Sequence, residues 1–446
     1  METDFYESKL LPRITLRLIP FMLALYVISY LDRINVSFAA LAMNQDLGFS
    51  DADFGLGAGI FFIGYCIFGI PSNLVIERLG ARRWIAGIMV VWGFLTLLFC
   101  LVETPFQFCA LRLLLGIAEA GFFPGMLLYL TYWFPGKYYG SAVARFMTAI
   151  PISGIAGSAI AAAALSMSGA AGLAGWKWLF LVTGAPAIVC GFLVLVLLPD
   201  RPATASFLSP EEVEIIEKAS SSSREKEAQP QKDGSKTGFL HTLSNPLVWR
   251  SAALYFSLTV SMYGFQLWLP QIIKASGSHA RGLDDTTTAL LAAIPAVFQA
   301  LGMLVIARSS DRRGERRLHV MAAAACTFAG LLLSMISSHN IVQMVGLCLA
   351  AFGIWGSVGP FWALTRETLP RRDHATGIAV INSVGNLGGF AGPYLVGLVK
   401  AGSQGFAASL VVLAISSVCA MILALMAKPS SGTMDGESPS SRIDKC

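Results

Sequence analysis

Charged residues are scarce in this sequence. Asp, Glu, Lys and Arg make up 13% of its 446 residues, whereas 55% are hydrophobic. A soluble globular protein carries roughly 25% charged residues. Half that share cannot cover the surface of a chain this long, so most of the surface must face lipid. The composition therefore argues against a soluble enzyme and favours a polytopic membrane protein.

Clustered cysteines and deeply placed histidines are also missing. The eight cysteines stand singly, without C-x-x-C or metal-ligand spacing, so we expect no metal site and no cofactor. The five histidines fall in loops or at the ends of apolar runs, so we assign none of them to proton transfer. A membrane enzyme would need a nucleophile–base pair at depth, and the apolar runs contain none. The net charge of +5 is spread along the chain, which does not indicate nucleic-acid binding.

What the sequence does contain is a series of long apolar runs. A bilayer core about 30 Å thick needs about 20 apolar residues in a helix. Twelve runs of this kind, numbered here as spans 1 to 12, occupy residues 18–41, 54–76, 84–101, 106–133, 141–167, 176–198, 248–273, 288–307, 320–336, 341–364, 377–399 and 405–426. They predict an all-α membrane protein with twelve transmembrane helices in two six-helix halves.

The halves are separated by one long polar stretch. We place the first half at 1–198, a cytoplasmic linker at 199–247, the second half at 248–427 and a disordered cytoplasmic tail at 428–446. Ser209-Pro210-Glu211-Glu212 has the pattern of a capped helix start. The linker is therefore expected to begin with a short amphipathic helix on the surface and to continue as a flexible segment.

Lysine and arginine placement predicts the orientation in the membrane. With a cytoplasmic N-terminus, the predicted outer loops hold only four positive residues, and every other loop positive lies inside. These four are Lys177, Lys274, Arg281 and Lys400. The opposite topology would invert the positive-inside bias. We expect a multi-pass protein of the cell's inner membrane, monomeric, with both termini in the cytoplasm and the first span retained.

Two loops repeat one pattern at equivalent places in the halves. Residues 77–83 (ERLGARR) follow span 2 and residues 311–317 (DRRGERR) follow span 8, so both read acid-Arg-x-Gly-x-Arg-Arg. Two parallel six-helix repeats are the expected layout of a transporter whose halves rock around a site between them. The residues that we assign to these gating loops are Glu77, Arg78, Arg82, Asp311, Arg312 and Arg316.

Only four charged residues lie deep in the spans, and all four belong to the first half. They are Asp32 and Arg33 in span 1 and Arg112 and Glu119 in span 4. A charge at bilayer depth is costly and indicates a functional site. Helix geometry places Asp32, Arg33 and Arg112 at one level and Glu119 about two turns further in. The two arginines suit an anionic group, because guanidinium forks bind carboxylate.

The buried carboxylates, Asp32 and Glu119, are candidate proton carriers. An anion bound to the arginines would free them to take up protons and so couple anion and proton. The competing interpretation is two structural ion pairs, Asp32 with Arg112 and Arg33 with Glu119.

The other spans offer neutral polar and aromatic groups that could complete a ligand site. Tyr65 in span 2, Gln266 in span 7, Trp362 in span 10, and Asn382 and Asn386 in span 11 are the candidates. The two asparagines lie one helical turn apart and are expected to face the same way. Hydrogen bonding between helices, or aromatic packing, is the alternative role for each of these residues.

The two loops resemble the signature of the major facilitator superfamily, in which they latch helix ends as the halves swing. The stretches YLDRINVSFAA (30–40), GIFFIGYCIFGIPSNL (59–74) and RLLLGIAEAGFFPGMLLYLTYWFP (112–135) resemble its anion:cation symporter branch, whose members move organic anions, generally with protons. The resemblance implies that Asp32 and Glu119 couple protons and that Arg33 and Arg112 bind the anion. It also implies substrate contacts for Tyr65 and for a span 11 asparagine.

Span 5 departs from the sugar-acid members of that branch. Residues 149–151 (AIP) stand where those members can offer a glutamine. This favours a smaller or more apolar acid, such as a tartrate-like dicarboxylate or an aromatic carboxylate. The main functional alternative is a proton-coupled antiporter that exports another small solute on the same fold. A solute sensor is the further alternative, although it would usually carry a soluble output domain.

Overall fold

The computed structural model describes residues 6–134, 136–227, 241–276, 283–337, 339–370, 373–403 and 405–427. These residues contain no β-strand. Their main helices are α1 Leu11–Asp46, α2 Asp51–Leu79, α3 Ala81–Leu98, α4 Pro105–Glu119, α5 Phe122–Trp133, α6 Tyr139–Met147, α7 Ala149–Ser166, α8 Gly175–Leu197, α9 Pro210–Glu227, α10 Pro246–Ser276, α11 Asp285–Leu291, α12 Ala293–Arg313, α13 Arg317–Ile336, α14 Asn340–Gly356, α15 Val358–Thr368, α16 His374–Ala401 and α17 Ala407–Met426.

All twelve predicted spans are helical. Within the described residues, ten segments are long and apolar enough to cross a membrane. The other two, spans 7 and 11, correspond to α10 and α16. With 31 and 28 residues these helices are long enough to cross a membrane, but they are less apolar than the other ten. Their polar side chains face other helices and a central cavity. Helical length and burial therefore complete the set of twelve.

Four spans break where a proline removes a backbone donor. α6, α11 and α14 end at Met147, Leu291 and Gly356, four residues before Pro151, Pro295 and Pro360. A proline cannot donate to the carbonyl four residues earlier and its ring clashes with that carbonyl. Span 4 breaks in the same way between α4 and α5, just before Pro124. Glu119 is consequently the last residue of α4, beside the break.

The same helix pairings recur in both halves. α3 packs on α8 and α2 on α4 in the first half, while α13 packs on α17 and α12 on α14 in the second. These are spans 3 with 6 and 2 with 4, then 9 with 12 and 8 with 10. The halves meet through α1 and α2 against α10 and α16, and through α7 against α11 and α12. The repeat that the loops indicate is therefore a repeat of packing.

Glycines let paired helices approach within each half. A Cβ on Gly116 of α4 would lie 2.0 Å from the carbonyl oxygen of Phe61 in α2. A Cβ on Gly302 of α12 would lie 2.1 Å from the carbonyl oxygen of Phe352 in α14. Because no side chain fits in either gap, the two helices of each pair touch backbone to backbone.

The loops that hold the repeated pattern lie at one end of the bundle, which we call the arginine end. In the second half, Arg316 joins Asp311 at 2.6 Å and Glu367, near the end of span 10, at 3.3 Å. Its neighbour Arg317 donates to the carbonyl of Leu425 at the end of span 12. Arg312 is exposed. The second loop thus ties the ends of three spans together.

The first loop makes related contacts in a different register. Arg82 donates to the carbonyl of Leu195 at the end of span 6 and lies 3.9 Å from Asp200. By sequence Arg82 corresponds to Arg316, but its carbonyl contact corresponds to that of Arg317. The shift arises because one residue separates α2 from α3, whereas three separate α12 from α13. Arg78 is exposed, and the side chain of Glu77 lies outside the described part of the chain.

The surface helix α9 begins at Pro210, as the sequence predicts. Ser209 and Glu212 cap each other's backbone N–H, and Arg13 of α1 donates to Glu212 at 2.5 Å. Burial acts to raise the pKa of Glu212, but hydrogen bonds from the Ser209 N–H and Arg13 hold it below its usual value. A lowered folded-state pKa means that this contact is intact at neutral pH and weakens as the pH falls through that pKa. The predicted flexible segment and tail fall largely outside the described residues.

The Gly116 contact yields a stability prediction. Gly116→Val should lower the melting temperature of purified protein by several degrees, because overpacking of this kind costs about 1–3 kcal/mol. Gly87→Val is the matched control, since a Cβ at Gly87 meets nothing within 4 Å. Equal melting of the two variants in a detergent thermal-shift assay would contradict the close α2–α4 contact.

Candidate functional site

A cavity of about 340 Å³ lies between the two halves. Spans 1, 2, 4 and 5 form one side, and spans 7, 10 and 11 form the other. The lining residues are Tyr26, Ser29, Tyr30, Arg33, Phe62, Tyr65, Cys66, Gly69, Ala120, Phe122, Phe123, Pro124, Met147, Ile150, Tyr255, Met262, Tyr263, Trp355, Val358, Trp362, Ala379, Asn382, Ser383 and Asn386. We refer to it as the central cavity.

The central cavity is closed towards the end of the bundle opposite the arginine end. There, Phe54 and Trp268 pack edge to face across the halves at 4.9 Å, and Trp268 donates to the carbonyl of Pro393 at 3.0 Å. Gly55 packs so closely that a Cβ would lie 2.7 Å from the same carbonyl oxygen. In the other direction the lining continues to Gly69, and the cavity extends towards the arginine end.

Aromatic rings dominate the wall. Ten of the 24 lining residues are Phe, Tyr or Trp, and they come from both halves. Apart from the tyrosine hydroxyls and tryptophan indoles, the neutral polar side chains come mostly from span 11, where Asn382, Ser383 and Asn386 all line the cavity. Trp355 offers an indole N–H that has no hydrogen-bond partner among the described residues. The cavity can therefore stack a flat apolar body and hydrogen-bond it at a few points.

Arg33 is the only charged residue among the described residues that line the cavity. Its guanidinium donates to Glu119 Oε2 at 3.0 Å, and it lies over the rings of Phe61 and Tyr65 at 5.2 and 5.1 Å. The Glu119 side chain is fully buried, and its Oε1 has no hydrogen-bond partner among the described residues. This pair puts a partly exposed cation at the cavity wall and a hidden carboxylate behind it.

Arg112 does not reach the central cavity in this structure. It is 1% exposed, donates to the carbonyls of Gly57 and Ala58 at 3.2 Å each, and lies 4.9 Å from the Phe61 ring centre. The face of α4 that carries it packs against α2 through Gly116. The predicted site in which two arginines together hold an anion is therefore not assembled here. The rotation of α4 about its axis is the reason.

Asp32 also lies away from the cavity. It is fully buried and accepts hydrogen bonds from Asn35 at 2.9 Å and Thr96 at 2.7 Å. Asn35 also donates to Thr183 of α8, so this network belongs to the interior of the first half. Of the two alternative ion pairs, Arg33 with Glu119 is present. No ion pair between Asp32 and Arg112 forms among the described residues, because each is held by neutral groups.

The remaining predicted contact residues separate into two layers. Tyr65, Trp362, Asn382 and Asn386 line the central cavity. Gln266 does not, and instead accepts a hydrogen bond from Tyr30 across the halves at 3.0 Å. It lies in a small cleft on the closed side of the cavity.

Sequence reasoning missed several wall residues of the first half. Tyr26 and Tyr30 precede Arg33 by seven and three residues and share its helix face, a spacing that could have identified them. Phe62, whose ring lies 4.2 Å from that of Tyr263 across the halves, carries no such signal. Their meeting depends on how the two halves dock.

Comparison with known proteins agrees with this architecture. The sequence matches the Major Facilitator Superfamily over residues 22–393 and again over 278–439. The chain belongs to this superfamily. It is therefore a multi-pass membrane transporter and not an enzyme.

Relatives and solved structures of the superfamily cover nearly the whole chain. An Agrobacterium vitis protein named "Putative tartrate transporter" is 40% identical over 436 residues, covering 97% of this chain and 98% of that protein. An Acinetobacter baumannii protein named "Quinolone resistance transporter" is 38% identical, and the match covers 94% of each chain. The inward-facing, unoccupied crystal structure of a bacterial homolog to the human lysosomal transporter Spinster has a TM-score of 0.76 at 16% identity, covering 92% of this chain and 96% of that one. This last likeness concerns the fold alone.

The burial of Arg112 leads to a prediction about its role. Arg112→Ala should destabilise the protein by about 2–4 kcal/mol, because it leaves a cavity in the contact between α2 and α4. Arg145→Ala, at an exposed arginine, is the control and should change stability by about 0.5 kcal/mol or less. Thermal unfolding in detergent measures both. Normal unfolding of Arg112→Ala together with loss of ligand binding would instead place Arg112 in the binding site.

Proposed function

We propose that this transporter imports an organic carboxylate together with a proton by alternating access. The observation that carries the proposal is the Arg33–Glu119 pair, in which the one charged group among the described residues of the cavity wall is held by a fully buried acid. The positive-inside bias supports an arginine end in the cytoplasm of the cell's inner membrane. The proton gradient would then drive uptake from the opposite end.

The Arg33–Glu119 pair can couple the carboxylate to the proton, because the pair stays neutral only if each charge keeps a partner. A carboxylate that enters the cavity competes with Glu119 for the guanidinium fork of Arg33. Glu119 would then be a buried charge without its cation, which is costly, so it takes up a proton. The loaded site carries Arg33 with the anion and a neutral Glu119. That state has no excess charge when the halves rock.

Asp32 is the second candidate for proton transfer. It lies within the first half and is held by two neutral donors, Asn35 and Thr96. Among the described residues, Asp32 contacts no cation that an incoming anion could displace. We therefore assign the coupling step to Glu119 and keep Asp32 as a further acid of the proton route. Arg112 holds α4 against α2 through its contacts with the α2 carbonyls. We assign the contact with the substrate anion to Arg33.

The wall composition supports a flat, largely apolar monocarboxylate. Arg33 offers one fork, so a second carboxylate on the substrate would face no further cation among the described lining residues. The ten aromatic residues suit stacking of a ring, and the asparagines of α16 suit one or two polar substituents. The volume of about 340 Å³ lies within the range of ordinary small-molecule sites. A relative named for tartrate supports the broader class of organic acids.

Export is the second candidate function. A relative of 38% identity bears the name "Quinolone resistance transporter", and the same fold supports proton-coupled antiport. In that case Glu119 would exchange its proton against an outgoing solute. The direction of proton movement relative to solute separates the two functions.

The coupling role of Glu119 is tested in proteoliposomes with an imposed proton gradient. Glu119→Gln should abolish gradient-driven uptake of a carboxylate but retain exchange of labelled for unlabelled substrate, because a neutral side chain mimics the protonated acid. Glu103→Gln, at an exposed acid, is the control and should behave like wild type. Undiminished gradient-driven uptake by Glu119→Gln would refute the coupling role, and solute movement against the proton flux would establish antiport.

The substrate class is tested by ligand-induced thermal stabilisation of purified protein. Benzoate should raise the melting temperature more than tartrate, and neutral benzamide should have little effect. A ligand at a hundred times its Kd stabilises the native state by about 2.7 kcal/mol. Tartrate stabilisation that exceeds that by benzoate would contradict the monocarboxylate class while keeping an organic anion as substrate.

A further inference from the structure

The closed end of the bundle holds a second depression, separate from the central cavity. It has a volume of about 320 Å³ and is bordered by both halves. We call it the vestibule, and its lining residues are Ala40, Leu41, Asn44, Gln45, Asp51, Gln271, Lys274, Ala275, Lys400, Gly405 and Phe406. The Phe54–Trp268 contact lies between it and the central cavity. A solute that arrives from this side meets the vestibule first.

Positively charged side chains, which are rare at the closed end of the bundle, lie together in the vestibule. Of the four positive residues in the predicted outer loops, Lys274 and Lys400 both line it. The positive-inside rule disfavours lysines at the outer end, but it does not explain why two of these few border one depression. Asp51 is the one acid among the described lining residues. Asp51 lies near Lys400, and Lys274 pairs with Asp285, which is not among the lining residues.

Both lysines belong to the second half and reach across to the first. Lys274 Nζ donates to the carbonyl oxygen of Leu41 in α1 at 2.8 Å, and it also pairs with Asp285 at 2.6 Å. Lys400 Nζ lies 3.6 Å from Asp51 Oδ2 at the start of α2. When the halves separate at this end, the contacts to Leu41 and Asp51 must break. The lysines are thus the charged part of the closed end.

Two polar groups of the vestibule are without a protein partner. Gln271 Nε2 and Asn44 Oδ1 are buried atoms that make no hydrogen bond to any of the described residues. A buried amide without a partner is costly, and a ligand or water that bonds it recovers that energy. Gln271 lies one turn before the end of α10, on the helix that carries Lys274. Its N–H group is a donor beside two cations, which is the chemistry of a carboxylate site.

We propose that the vestibule is an outer binding site for a carboxylate, held by Lys274, Lys400 and the Gln271 amide. A carboxylate there competes with Asp51 and the Leu41 carbonyl for the lysines and weakens the contacts that keep this end closed. Binding outside thereby favours the conformation that admits the same anion to the central cavity. This role rests on the import of a carboxylate proposed above, although anion binding at the vestibule can be measured without transport.

The binding step is tested by thiol protection. Ala275→Cys places a thiol on the exposed rim of the vestibule, where a membrane-impermeant maleimide can reach it. Benzoate should slow labelling of Ala275→Cys at constant ionic strength, whereas benzamide should not. The wild-type chain gives the background from its native cysteines. Lys274→Gln/Lys400→Gln in the Ala275→Cys chain should remove the protection, and Lys177→Gln, at an outer lysine away from the vestibule, should leave it intact.

Equal protection by benzoate and benzamide, or protection that survives Lys274→Gln/Lys400→Gln, would overturn the site. The same holds if benzoate gives no protection at all. These results do not depend on transport. If Ala275→Cys shows benzoate protection but the wild-type protein transports no carboxylate, the import function is overturned and the vestibule site stands.

The opening step is tested by transport kinetics from each face of the membrane. Lys274→Gln and Lys400→Gln should each raise the KM for entry at the vestibule end by about threefold to fivefold, the range expected for a partly exposed charge contact. The KM for entry at the arginine end should rise by less, because that path does not cross the vestibule and is affected only through the loss of the closing contacts. Lys400→Arg, which keeps the positive charge, should leave the KM for entry at the vestibule end near its wild-type value. An equal rise in KM at both faces would overturn the assignment to the outer end.

Discussion

A charge inside the hydrocarbon layer has to be neutralised by the protein, and the structure is organised around this constraint. Four charged residues lie at bilayer depth, and each is held differently. Glu119 has a cation, Asp32 has two neutral donors, and Arg112 has two backbone carbonyls. Only Arg33 faces the cavity, so it is the one group whose neutrality depends on what the cavity contains. In the proposed function, a ligand in the cavity therefore acts on the buried charges of the first half through Arg33.

Close helix packing makes this arrangement possible. Gly116 brings α4 against α2, and this contact buries Arg112 among the carbonyls of α2. The last turn of α4, which carries Glu119, lies near Arg33. The break before Pro124 ends α4 at Glu119, so the acid stands at a helix end where backbone groups are already irregular. Proline and glycine thus set the positions of the charged side chains, although neither residue carries chemistry.

The two ends of the bundle use charge in opposite ways. At the arginine end, Arg316 and Arg317 tie the loop after span 8 to the ends of spans 10 and 12, and these contacts stay within one half. At the other end, Lys274 and Lys400 contact residues of the opposite half. Contacts within a half keep it rigid, whereas contacts between halves must break when the halves rock. Under the proposed alternating access, the arginine end is expected to move as a set of latched helices and the other end to act as a closure.

Much of the architecture could be predicted from the sequence, because lipid imposes simple rules. Twelve apolar runs, one polar linker and a repeated loop pattern are sufficient for two six-helix halves, and Ser209 with Glu212 marks the start of α9. A rise of 1.5 Å per residue also places Asp32, Arg33, Arg112 and Glu119 near the middle of the bilayer, and that depth stays a prediction. Rotation about each helix axis and the docking of the halves were not readable. Helix rotation and the docking of the halves determine that Arg112 contacts the carbonyls of α2, that Phe62 packs against Tyr263 and that Lys400 lies beside Asp51. Both depend on side-chain contacts between residues far apart in the chain.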